Sequence, residues 1–157
     1  MTNGSLKKDK GFTIIEVVLV LAIAGLIFLI VFLALPQLQR SRRDTQRQGD
    51  AGRALAALES YSGNNNGQYP AQGAWGGFVS SYLTNNNGVW GDPSTGAYTL
   101  ETVAPTAASN SLSEGEVYYN TGRVCAGQYP VTTGANTRNI AVVVFQESGG
   151  TYCQDNR

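Results

Sequence analysis

Residues 12–35 read FTIIEVVLVLAIAGLIFLIVFLAL, in which Thr13 and Glu16 are the only polar side chains and Val17 to Leu35 is unbroken. Eighteen of these 24 residues are Leu, Ile, Val or Phe, and a helix apolar all round has no aqueous face. At about 1.5 Å per residue the run covers roughly 36 Å, enough for a hydrocarbon core of about 30 Å. Each large apolar residue favours insertion by about 0.3–0.6 kcal/mol, against a cost of roughly 3 for one central acid, so the membrane wins by several kcal/mol. A secretory signal peptide would have an apolar core of about 7–15 residues closed by a small-residue A-x-A site. This run is longer and is followed by Pro36 and Gln37-Leu38-Gln39-Arg40, which predicts a retained anchor.

The period then changes. In residues 36–61, Leu38, Ala51, Leu55, Leu58 and Tyr61 recur at helical spacing with Arg and Asp between them, the pattern of an amphipathic helix. Continuous from Phe12 to Tyr61, such a helix would be about 75 Å long, weakened locally by Gly49 and Gly52. Arg40, Arg42, Arg43, Arg47 and Arg53 read as a solvated face or as partners for other subunits or lipid headgroups. Ser62 to Pro70, rich in Gly and Asn, stops the helix. Asn85-Asn86-Asn87-Gly88 and Gly127-Gln128-Tyr129-Pro130 read as turn chemistry, and residues 102–113 as an exposed loop open to O-glycosylation. Strands are predicted at 97–101, 116–120, 123–126 and 139–146, the last with the buried-type run IAVVVF, and a hairpin at 120–122 between the second and third. The fold class is α+β: a long N-terminal helix packed on a small antiparallel sheet, with residues 62–157 as the head.

Composition narrows the chemistry. None of the 157 residues is histidine, which excludes His-containing triads and His-ligated metals. Eleven basic and eleven acidic residues balance, so nothing favours phosphate neutralisation on nucleic acid. All three lysines lie in residues 1–11, leaving eight arginines and ten carboxylates beyond them; a chain without residues 1–11 would have no lysine for a Ser-Lys hydrolase or a lysine-linked fibre. From residue 62 onward three arginines face six carboxylates, which disfavours electrostatic DNA capture. Glu114, Glu116 and Asp92 show no EF-hand spacing, and no metal, cofactor or catalytic set is expected. Most of the twelve aromatics between Tyr61 and Tyr152 are expected in the core, with Trp75, Trp90 and Tyr82 as candidates for an exposed adhesive or stacking surface.

Glu16 is the anomaly. An ionised carboxylate inside an apolar run must lie near the headgroups or find a partner, and that partner could come from another molecule. A polar leader containing Lys7, Lys8, Asp9 and Lys10 and ending in Gly11 precedes it. Lys10-Gly11-Phe12-Thr13-Ile14-Ile15-Glu16-Val17-Val18 resembles the class III signal of type IV prepilins and pseudopilins. The resemblance implies cleavage between Gly11 and Phe12 by a prepilin peptidase, N-methylation of Phe12, and Glu16 as the assembly glutamate that pairs with the Phe12 amine of a neighbouring subunit. It departs from many family members in lacking a proline within the second half of the run, which makes residues 25–36 the expected place for stretching in a fibre.

The resemblance further implies residues 1–11 as leader and 12–61 as helix, transmembrane over 12–35. It implies a non-enzymatic subunit of a type IV pilus, a helical homopolymer serving adhesion or twitching motility; the alternative is a minor pilin or pseudopilin of a secretion or DNA-uptake apparatus. Its partners would be the peptidase, an assembly ATPase with its platform protein, minor pilins, and the membrane before assembly. A plain positive-inside count, three lysines before the span against five arginines after it, would put the head in the cytoplasm; the resemblance implies the reverse, with the head finally extracellular in the filament. Cys125 and Cys153, the only cysteines, are then expected to bridge, as in many type IV pilins, stabilising the head by roughly 3 kcal/mol. Redox activity is the rival reading, without a C-x-x-C to support it. A single-pass anchored enzyme or receptor with an incidental leader is the reading from another class.

Overall fold

A computed structural model describes residues 11–84, 90–109, 112–134 and 138–157. The leader up to Lys10, the Asn85-Asn86-Asn87-Gly88 turn and residues 110–111 of the polar loop lie outside them. The chain divides into two compact units, Met1–Leu38 and Gln39–Arg157.

In the first unit the described chain is helical from Ile14, where α1 (Ile14–Asn64) begins. The large apolar residues of 12–35 are all exposed, from 88% at Phe12 to 43% at Val31. The richest 18-residue window has a mean hydropathy of 3.3 with none of it buried. Pro36 lies inside α1 rather than ending it.

In the second unit α1 continues with a one-sided apolar stripe, Ala51, Ala54, Leu55 and Leu58, at the i, i+3, i+4, i+7 spacing of one helix face. Asn66 and Gly67 end it in left-handed conformation, and the Gly67 N–H returns to the Ser62 carbonyl at 2.8 Å, satisfying an orphan acceptor of the last turn. The helix thus runs three residues past Tyr61.

The sheet order is β1-β2-β5-β6, formed by β1 (Thr99–Glu101), β2 (Glu116–Thr121), β5 (Ile140–Phe145) and β6 (Thr151–Asp155). β1 runs parallel to β2, and the other pairings are antiparallel, so the sheet is mixed. β3 (Arg123–Ala126) and β4 (Tyr129–Thr132) form a separate two-stranded sheet. Alternation along the central strands divides the core. Val117, Tyr119, Ile140, Val142 and Val144 join the α1 stripe, whereas Tyr118 and Val143 pack with Leu112 on the other side. With apolar side chains covered on both faces, β5 reads as the continuous run IAVVVF. The layout is the expected α+β one, a long helix with a small sheet head, like that of type IV pilins.

Several expectations are corrected. The hairpin at 120–122 does not form: Gly122, at φ +68, turns the chain out of the large sheet, and β2 pairs β5 instead. Gly127 is a true turn, but Tyr129 and Pro130 beyond it belong to β4; proline is tolerated there because an edge strand can spare an N–H. Beyond the last predicted strand, Thr151–Asp155 form a further one, β6. Residues 72–84, for which the pattern predicts no regular element, are helical in three short pieces: a 3₁₀ turn (Gln72–Ala74), α2 (Trp75–Phe78) and a π-helical turn (Val79–Thr84). Glycines at 73, 76 and 77 hide this from propensity, and the burial of Trp75, Phe78 and Leu83 overrides it.

Cys125 on β3 and Cys153 on β6 are bonded, 28 residues apart in sequence with Cα atoms 5.7 Å apart, joining the two sheets. Asp155 adds a second tie by accepting the Cys125 N–H at 2.6 Å. Closing this loop restricts the unfolded chain by about 3 kcal/mol. Reduction, or Cys153→Ser, is expected to lower head stability by about that amount in guanidinium unfolding followed by tryptophan fluorescence.

Candidate functional site

The start of α1 is built by Thr13 and Glu16. The Thr13 hydroxyl oxygen accepts the Glu16 N–H at 3.4 Å, and Glu16 Oε2 accepts the Thr13 N–H at 2.8 Å, with the Thr13 hydroxyl donating to the same oxygen at 2.7 Å. This is a reciprocal capping box, which satisfies helix N–H groups that have no intrahelical acceptor. The T-x-x-E spacing was legible in the sequence, yet Thr13 has no part in the sequence reading of Glu16. Both donors use Oε2, so Oε1 has no hydrogen-bond partner among the described residues. Gly11 and Phe12 precede the helix, both exposed.

Of the other singled-out residues, Trp75 and Trp90 are core rather than surface, 7% and 5% exposed. Trp75 stacks on Tyr119 at 5.0 Å and meets Trp90 edge-on at 5.7 Å. Tyr82 is half-buried against Tyr61 and Phe78. Their glycine-rich surroundings suggested exposure; aromatic clustering decided against it. The expected stacking surface therefore does not exist at these residues.

The arginines hold what the sequence reading missed. Arg47 is fully buried, which neither a solvated face nor an external partner describes. Its Nε donates to Asp92 Oδ2 at 2.6 Å, its Nη1 to Glu147 Oε1 at 2.9 Å and Asp44 Oδ1 at 3.3 Å, and its Nη2 to the Ser94 hydroxyl at 2.7 Å. The guanidinium also lies 5.6 Å from the centre of the Phe145 ring, within cation–π range. Arg43 pairs with Glu147 through two N–H groups, and Arg53 with Asp50 at 3.2 Å.

Three carboxylates against Arg43 and Arg47 leave one negative charge, which backbone N–H groups offset. Asp44 accepts the amides of Glu147 and Ser148 at 2.7 and 2.9 Å; Asp92 accepts those of Ser94 and Thr95 at 2.8 and 3.1 Å. Asp92 opens a tight loop whose closure requires Gly91, since a Cβ there would stand 2.2 Å from the Gly96 carbonyl oxygen. Asp92 is thus an arginine counter-ion, and no metal-ligand cluster occurs among the described residues.

Burial alone would raise the Asp92 pKa, but Arg47 and the two loop amides outweigh it and hold it at about 2. The Arg43 hydrogen bond, with Arg47 beside it, holds Glu147 at about 2 as well. For Asp44, burial is again outweighed, here by the Ser148 and Glu147 bonds, and its pKa is lowered. Asp50 goes the other way: burial raises it, despite the Tyr98 hydroxyl and Arg53.

Among known proteins, residues 6–32 match the family model described as the prokaryotic N-terminal methylation motif, the class III signal peptide of type IV pilins. No curated protein and no solved structure matches the chain.

Two outcomes follow from the network. Arg47→Ala leaves buried carboxylates without their cation and is expected to cost about 3–5 kcal/mol of head stability in chemical denaturation. The lowered pKa values of Asp92, Glu147 and Asp44 give stability that is present above their unfolded values near 4 and lost as pH falls toward 2; Asp50 contributes with the opposite sign. Unfolding free energies measured by denaturant titration between pH 7 and 2 should change little down to about pH 4 and then fall, by a total of a few kcal/mol.

Proposed function

We propose that this chain is a structural pilin, processed after Gly11, methylated at Phe12, held in the membrane by residues 12–35 and then extracted into a non-covalent helical filament. The observation that carries the reading is an apolar segment exposed all round directly behind a methylation signal. Such a surface is stable in lipid or against other apolar helices, and not in water. Moving from lipid into a bundle exchanges one apolar surrounding for another, so the gain must come from close packing and polar pairing.

Glu16 suits the second of these. After cleavage the Phe12 ammonium of a neighbouring copy could pair with Oε1, the oxygen that the capping box leaves unused, and the register between subunits would be set by that pair. The Cys125–Cys153 bond supports an oxidising side for the head, hence the N-terminus in the cytoplasm. The arginines that oppose this orientation in a plain charge count are in part matched: Arg43, Arg47 and Arg53 each have carboxylate partners in the folded head. Adhesion and twitching motility would be properties of the filament.

N-terminal peptide mass spectrometry on membrane and sheared surface fractions tests the reading. A chain starting at methylated Phe12 and abundant in the sheared fraction is expected; the same chain confined to the membrane would identify a minor pilin or pseudopilin, and a chain retaining Gly11 would sink the processing. Glu16→Gln separates the two roles of Glu16, because an amide keeps the helix cap and removes the charge. Insertion should be unchanged and filament yield should fall at least tenfold; normal yield would reduce Glu16 to a cap.

A further inference from the structure

Where the chain leaves α1, it forms with the end of β2 a groove of about 380 Å³, lined among others by Gln68, Tyr69, Gln72, Tyr119, Asn120 and Thr121. That volume falls within the roughly 300–1,000 Å³ typical of small-molecule sites. Two of its residues are held by the protein itself. The Tyr119 hydroxyl donates to the Pro70 carbonyl, and its ring stacks on Trp75. The half-buried Tyr69 donates to the Arg138 carbonyl at 3.2 Å. The other four are uncommitted: the amides of Gln68, Gln72 and Asn120 and the hydroxyl of Thr121 make no hydrogen bond to any described residue.

We infer that this groove binds an uncharged polyhydroxylated ligand, a saccharide. Each amide presents a donor and an acceptor side by side, and so can serve neighbouring hydroxyls that both donate and accept. A tyrosine ring offers an apolar face to the C–H side of a sugar. Other ligand classes lack their counterpart. The described lining residues carry no charge, so nothing there neutralises a phosphate or carboxylate, and the head's excess of carboxylates repels anions. No carboxylate, imidazole or thiolate among them offers a strong ligand to a metal ion. An apolar ligand would bury three amides unpaired.

The inference stands on the head's geometry and does not depend on filament assembly. The test is saturation-transfer difference NMR on the full-length processed protein in a non-glycosidic detergent, with glucose, galactose, mannose, N-acetylglucosamine, lactose and the anionic sialyllactose as probes. At least one neutral sugar is expected to receive saturation, and Gln68→Ala/Gln72→Ala should weaken its binding roughly tenfold or more, two lost hydrogen bonds at about 1 kcal/mol each. Both glutamines are exposed, so the unfolding midpoint should not move. No signal from any neutral sugar, binding of sialyllactose alone, or neutral-sugar binding unchanged in the double variant would each overturn the assignment, and none of them bears on the filament reading.

Discussion

Burying the guanidinium of Arg47 obliges the head to bring Asp44, Asp92, Ser94 and Glu147 to one point. Three come from two loops distant in sequence: Asp92 with Ser94 before β1, and Glu147 in the turn between β5 and β6. A desolvated cation without partners costs several kcal/mol, so these segments adopt the conformations that supply them. The tight turn at Asp92 and the amides of Ser94, Thr95, Glu147 and Ser148 are parts of one solution, in which backbone dipoles absorb the surplus negative charge. Aromatic packing then completes the region, with Trp90 and Tyr98 in contact at 4.5 Å and the Tyr98 hydroxyl on Asp50.

The same helix meets a different demand in the first unit. Residues 12–35 offer apolar side chains in every direction, and their one carboxylate is folded back onto Thr13. The capping box changes how Glu16 is understood. It supplies a local reason for a threonine and a glutamate three residues apart, and it leaves one carboxylate oxygen available. A helix-starting role and a subunit-pairing role are therefore compatible, because they use different oxygens of the same side chain.

Two sets of polar groups on the head differ in kind. Those around Arg47 are charged and internally satisfied; those lining the groove beside Tyr69 are neutral and turned to no protein partner. The first kind confers stability and acid sensitivity, and the second offers recognition. That separation lets the exposed Gln68 and Gln72 be changed without touching what holds the head together.

Local and periodic features were legible in the sequence because each depends on residues close together in the chain. The all-round apolar run, the amphipathic stripe at Ala51, Leu55 and Leu58, the Gly-Asn stop after it, the strand at 140–145 and the signal around Gly11 and Phe12 are of this kind. Partner choice depends on the whole fold, and there the sequence reading failed. Asn120 to Gly122 carries the residues of a hairpin turn, yet β2 pairs with β5 from some twenty residues further on, since both strands have apolar side chains for two faces. Trp75 and Trp90 lie among glycines that suggest exposure, and they are buried because each completes an aromatic cluster assembled from several segments. Arg47 is indistinguishable in sequence from Arg42; only tertiary structure, by bringing Asp92 and Glu147 from 45 and 100 residues away, turns one arginine of five into the centre of the head.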